Sequence, residues 1–247
     1  MSGPVKMNGA RRLLGIFQPS FPPRLKLGKD PGIDREAKLE ELRRLYSEKD
    51  RRVHAPTASG DLSLTNARNL RRKRTLLKEI VADRLPREEF LREVRTLEAN
   101  PRFEKPTDYW DALDNYLVTP MILETIPRHK DRAELLGSTS YDPVRNRIYV
   151  SLSHRLGWWN AQYALAHEAG HVAANHEFPV LDGNGGISGY ERPPAGLTRI
   201  PPFDDDLPRP LILDLQDEEA ELRARYTWLV CGLGKRALDL GDTRQLS

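Results

Sequence analysis

The chain has 247 residues, of which 38% are hydrophobic and 30% charged, a balance that suits exposed helices. No apolar run approaches the roughly 18 residues of a membrane span, and the single cysteine, Cys231, excludes an intramolecular disulfide framework and any multi-cysteine zinc site. The net charge of +3 hides an asymmetry: residues 1–100 carry 23 Lys and Arg against 14 Asp and Glu, while residues 101–247 carry 16 against 22. The two stretches are therefore +9 and −6.

Residues 1–33 are rich in Pro, Gly and basic residues and read as a flexible basic arm. Its longest apolar stretch, Leu13–Phe17, falls short of the about 7–15 residues of a secretory signal, so a cytoplasmic protein is expected. From Asp34 to Arg52 the chain is dense in helix formers, with Leu39, Leu42 and Leu45 forming a narrow stripe. His54–Asp61 reads as a linker. A second helix is predicted from Ser63 or Thr65 to Leu85, a third over Glu88–Glu98 after Pro86, and a fourth over 107–118 capped by Thr107 or Asp108. The Asp142-Pro143 and Arg145-Asn146 pairs have turn chemistry. They separate a strand at Arg147–Leu152, which alternates and is rich in β-formers, from a hairpin partner at Gly137–Tyr141. A long helix is predicted from Trp158 to His176, then a Gly-, Pro- and Asp-rich loop over 182–213. Asp214 is the expected N-cap of a last helix running to Cys231.

Residues 167–171 read His-Glu-Ala-Gly-His. In a helix, positions i and i+4 lie one turn apart on the same face, so both imidazoles can point at one ion, and imidazole suits Zn2+. Glu168 sits at the edge of that face, where it can act as a general base on water. Ala164, Leu165, Ala169, Val172 and Ala173 make the helix small and apolar nearly all round, which describes a buried element. Two histidines and a glutamate buried there without partners would carry a desolvation cost with no return, so a metal site is expected, with His167 and His171 as ligands.

A catalytic zinc site uses three protein ligands. His176 follows His171 by five residues and reads as a helix-end residue; Asp204-Asp205-Asp206 reads as a solvated turn. The last helix is the better source, because Asp217, Glu221, Ala224 and Trp228 share one face, and small Ala220 and Ala224 permit close approach. A charged first turn favoured by the helix dipole explains the same acids.

The stretch 137–231 resembles the ImmA/IrrE metallopeptidase family. The family strand N-x-I-x-V reads here as Asn146-Arg-Ile-Tyr-Val, and the family helix ending x-A-H-E-x-G-H reads as Tyr163-Ala-Leu-Ala-His-Glu-Ala-Gly-His. The later motif, E-x-x-A-(N/D/E)-x-x-A, is similar to Asp217-Glu-Glu-Ala-Glu-Leu-Arg-Ala, with Asp in place of the ligand Glu. A shifted frame keeps a glutamate at Glu221, and Glu218 ranks third. The hydrophobic-hydrophobic-Pro ending of the family helix is absent. The resemblance implies an α+β, mostly helical protein: a small zincin-like metallopeptidase domain with a short β-sheet over 106–247. Basic helices over 34–105 precede it. It also implies Zn2+ held by His167, His171 and the acid, Glu168 as the catalytic base, and a protein substrate such as a helix-turn-helix repressor.

Residues 68–78 hold six Lys or Arg in eleven: Arg68, Arg71, Arg72, Lys73, Arg74 and Lys78. Such a helix can track phosphates, dock a partner protein, or dock on the chain's own acidic half. No aromatic platform and no helix-turn-helix signature accompany it.

Overall fold

The computed structural model describes residues 31–52, 62–97, 103–126, 136–181, 187–194, 196–204 and 206–232. Residues 1–30 of the expected arm and the linker 54–61 lie outside the described residues; 31–33 belong to the first helix. The architecture is α+β. Helices α1 (Pro31–Arg52), α2 (Leu62–Arg84), α3 (Arg87–Leu97) and α4 (Pro106–Tyr116) precede strands β1 (Met121–Thr125), β2 (Gly137–Asp142) and β3 (Arg147–Leu152). Then come α5 (Trp158–Ala173), β4 (Phe178–Leu181), β5 (Ile187–Glu191) and α6 (Arg209–Val230). No helix among the described residues is long and apolar enough to cross a membrane.

The sheet is mixed, in the order β1-β3-β2-β4-β5. The predicted hairpin forms: β2 and β3 pair antiparallel from Gly137↔Leu152 to Asp142↔Arg147. Asp142 Oδ1 accepts from the backbone N–H groups of Val144 and Arg145, and Asn146 takes φ 49°, which closes the turn. β1 was not anticipated. It adds parallel to β3, a pairing between segments some 27 residues apart that local alternation cannot reveal. β4 and β5 were also not anticipated, and β5 lies within the expected loop 182–213. They are short, and Pro179 and Gly189 disguise them.

Helix starts differ from expectation in two places. α4 begins at Pro106, and the side chain of Asp108 at its third position accepts from the backbone N–H of Glu104 and Lys105, so neither Thr107 nor Asp108 is the cap residue. α6 begins five residues before Asp214, because Pro208 and Pro210 have the fixed φ that suits a first turn. Asp214 instead accepts a hydrogen bond from the Tyr46 hydroxyl.

Two apolar cores form, and α6 runs through both. In one, the stripe Leu39, Leu42 and Leu45 of α1 meets Leu76, Leu77 and Ile80 of α2 and Leu211, Ile212 and Leu215 of α6. In the other, Phe90 of α3 and Tyr109, Trp110 and Leu113 of α4 meet Ile148 and Val150 of β3 and Leu165 and Val172 of α5. The packing therefore crosses the 105/106 position. α5 lies over β2 and β3 and against α6. Gly170 sets the last approach: a Cβ there would lie 3.0 Å from the Ala220 carbonyl oxygen and 3.1 Å from Arg223 Cβ.

Candidate metal centre

The centre lies where α5 crosses α6. His167 and Glu168 are buried, and the side chain of Asp217 is 63% exposed, so the site opens to solvent on the α6 side. His167 Nε2 lies 3.2 Å from His171 Nε2 and 3.4 Å from Asp217 Oδ1. Among the described residues, His167, His171 and Asp217 bring three ligand atoms within 4.8 Å of one another and could hold a metal ion.

The spacing can be tested against a real coordination shell. Ligand atoms about 2.0–2.1 Å from a tetrahedral ion are about 3.3–3.4 Å apart. The two separations from His167 Nε2, 3.2 and 3.4 Å, match edges of that tetrahedron. Two neutral imidazole nitrogens and a carboxylate oxygen also form a donor set suited to a divalent transition metal. Without an ion, burial works against a charge on His167, yet hydrogen bonding to Asp217 and Glu221 raises it to about 10. The acids around this point favour positive charge at its centre.

The other candidate ligands lie elsewhere. Glu221 Oε2 faces Nδ1 of His167 at 3.7 Å, on the ring edge turned away from the cluster. Its Oε1 accepts from the Tyr163 hydroxyl at 2.8 Å and from Arg225 at 2.9 and 3.1 Å. Burial opposes its charge, but His167 and Arg225 hold its carboxyl down to about 2. Glu218 is half-buried near Lys78, and burial pushes its carboxyl up to about 7. Asp204 and Asp206 are exposed, and Asp205 lies outside the described residues. His176 follows α5 and sits behind His171, with the two Nδ1 atoms 2.9 Å apart.

Glu168 points from α5 to the start of β2. Its Oε2 accepts from the buried hydroxyl of Thr139 at 2.6 Å. Burial raises its carboxyl above the ordinary value, and His167 and Thr139 act in the opposite direction. Gly137 leaves room for this carboxylate, since a Cβ there would lie 2.7 Å from Glu168 Oε1. A shallow cavity lined by Leu136, Gly137, Tyr163, Ala164, His167 and Glu168 opens beside it. Sequence reasoning missed Thr139 and Gly137. Both partner Glu168 only because α5 packs over β2, and neither carries a local signal.

The basic stretch is engaged within the fold at half of its six basic residues. Arg72 donates to both oxygens of Glu41, at 2.9 and 2.7 Å, and Lys73 Nζ lies 3.6 Å from the centre of the Tyr46 ring. Lys78 faces Glu218. Arg68, Arg71 and Arg74 are exposed along one strip of α2. The chain matches no family model, no curated protein and no solved structure.

Proposed function

We propose that this protein is a zinc-dependent endopeptidase with a zincin-like domain of the ImmA/IrrE kind, acting on a protein partner such as a helix-turn-helix repressor. The observation that supports the reading is the convergence of ligand atoms of His167, His171 and Asp217 within 4.8 Å of one another, with a buried carboxylate, Glu168, next to His167. Those three residues would hold the ion, with Glu221 supporting Nδ1 of His167. When bound, such an ion supplies a Lewis acid for the scissile carbonyl and makes water a nucleophile at neutral pH.

Glu168 does the proton work. Thr139 fixes one carboxylate oxygen, which leaves Oε1, beside Gly137, to take a proton from the attacking water. As the C–N bond breaks, Glu168 returns that proton to the departing amine nitrogen. The cavity beside Glu168 is lined by Leu136, Ala164 and Tyr163 and offers an apolar wall to a substrate side chain.

The test is co-expression with candidate repressors encoded beside this gene. The parent chain should yield a cleaved repressor fragment, and Glu168→Gln should retain metal and yield none. Repressors left intact by a zinc-loaded parent chain would favour a non-catalytic regulator.

A further inference from the structure

We propose that His176 is a positioning residue for His171, and that the two rings form a directed relay ending on Glu219. The relay rests on the reading of His167, His171 and Asp217 as cation ligands.

The backbone places His176 by a defined C-terminal motif of α5. Asn175 adopts φ 54°, its N–H donates to the Val172 carbonyl at 3.0 Å, and the N–H of His176 donates to the His171 carbonyl at 3.2 Å. These are the two bonds of a Schellman cap, with Asn in the left-handed position. The cap folds the chain back by one turn, so the imidazole of residue 176 lands on the imidazole of residue 171.

Proton accounting then sets the direction. His171 turns Nε2 into the ligand cluster and Nδ1 towards His176. A neutral imidazole that gives one nitrogen to a cation carries its proton on the other, so Nδ1 of His171 is the donor. At 2.9 Å, Nδ1 of His176 must accept. The single proton of His176 is therefore on Nε2, which is buried and directed at Glu219 Oε2 across 3.6 Å, a separation longer than a direct hydrogen bond. Glu219 is 1% exposed and accepts from Arg223 at 3.2 and 3.3 Å and from Arg84 at 3.3 Å. Arg223 is wholly buried and also binds both oxygens of Glu93 on α3. The ring behind one proposed ligand thus faces a buried carboxylate that Arg84 and Arg223 hold in place, and Arg223 in turn binds Glu93 of the basic helical part of the chain.

Two measurements on the full-length chain test the relay. Zinc affinity is read by competition with a chromophoric chelator for the parent, His176→Phe and His176→Gln. Phe fills the space without accepting or donating, whereas the Gln amide can do both. His176→Phe should bind zinc about 10- to 100-fold more weakly, and His176→Gln should recover most of that loss. In the zinc-loaded parent, imidazole nitrogen NMR should find the proton on Nδ1 of His171 and on Nε2 of His176. Equal affinity of His176→Phe and parent, equal weakening in both variants, or a proton on Nδ1 of His176 overturns the relay alone. A parent chain that takes up no zinc overturns the cation reading and the relay with it. The NMR result on the parent stands even if His176→Phe does not fold.

Discussion

The hydroxyl of Thr139, on β2, donates to Glu168, on α5, across 2.6 Å in a buried setting. This bond ties the sheet to the proposed catalytic base, and it fixes which carboxylate oxygen remains available. Thr139→Val keeps the shape and removes the donor. Burial already raises the Glu168 carboxyl, and the Thr139 bond opposes that rise, so its loss raises the pKa further. A base must be ionised to act. The acid limb of kcat/KM should move to higher pH by about one to two units, with zinc content unchanged. An unmoved limb would remove Thr139 from the mechanism.

Asp217 and Glu221 both lie near His167, but on opposite nitrogens of its ring. Their substitutions should separate. Metal analysis of Asp217→Ala should find zinc lost after mild chelation, as for His167→Ala, while Glu221→Gln should weaken zinc by about 10- to 100-fold without abolishing it. The reverse order would transfer the ligand role to Glu221.

Arg223 is a buried cation between two buried carboxylates, Glu93 and Glu219. Arg223→Met leaves both acids without their shared partner. Breaking such a bridge from one side costs about 3–5 kcal/mol, to be read as a fall in the urea midpoint at pH 7. Adding Glu93→Gln and Glu219→Gln to Arg223→Met should return part of the loss, because it removes the uncompensated charges. A single substitution with an unchanged midpoint would contradict this arrangement.

Cys231 is buried at the end of α6, and burial pushes its thiol up to about 12. Thiolate is the reactive form, so the folded chain at pH 8 should react with a disulfide reagent about a thousand-fold more slowly than the urea-unfolded chain. Because the folded state prefers the neutral thiol, the stability it contributes is full below about pH 8.5 and is lost as pH rises towards 12. Equal rates in the folded and unfolded chain would mean that this end of α6 frays.

The elements legible in the sequence were those whose signals are local. α5 showed through its small apolar surface and the four-residue spacing of His167 and His171, and the β2–β3 hairpin through Asp142 and Asn146 at its turn. β1 is held by a parallel partner, β3, that lies beyond β2 in the chain, so no window of sequence contains its reason. Asp214 looked like a cap because it precedes an amphipathic stretch, yet two prolines had already started that helix. In the site, the residues on α5 could be read from spacing, while those supporting them could not. Thr139 depends on the packing of helix over sheet, and His176 on a left-handed Asn175. The basic stretch left phosphate, partner and internal docking open in the sequence, and Arg72 and Lys73 turn back onto α1, not onto the acidic half.

α6 belongs to two cores at once. Its first turns are held by α1 and α2, its later turns by α5, α3 and α4, and Asp217 to Arg223 lie at the join. The consequence is one of inheritance. A fragment starting at residue 106 would bare Leu211, Ile212 and Leu215 and orphan Glu219 and Arg223 from Arg84 and Glu93. The acidic portion cannot then be passed between proteins as a free-standing module: any lineage that keeps the half with the His167–His171–Asp217 cluster must keep the basic helices that brace it.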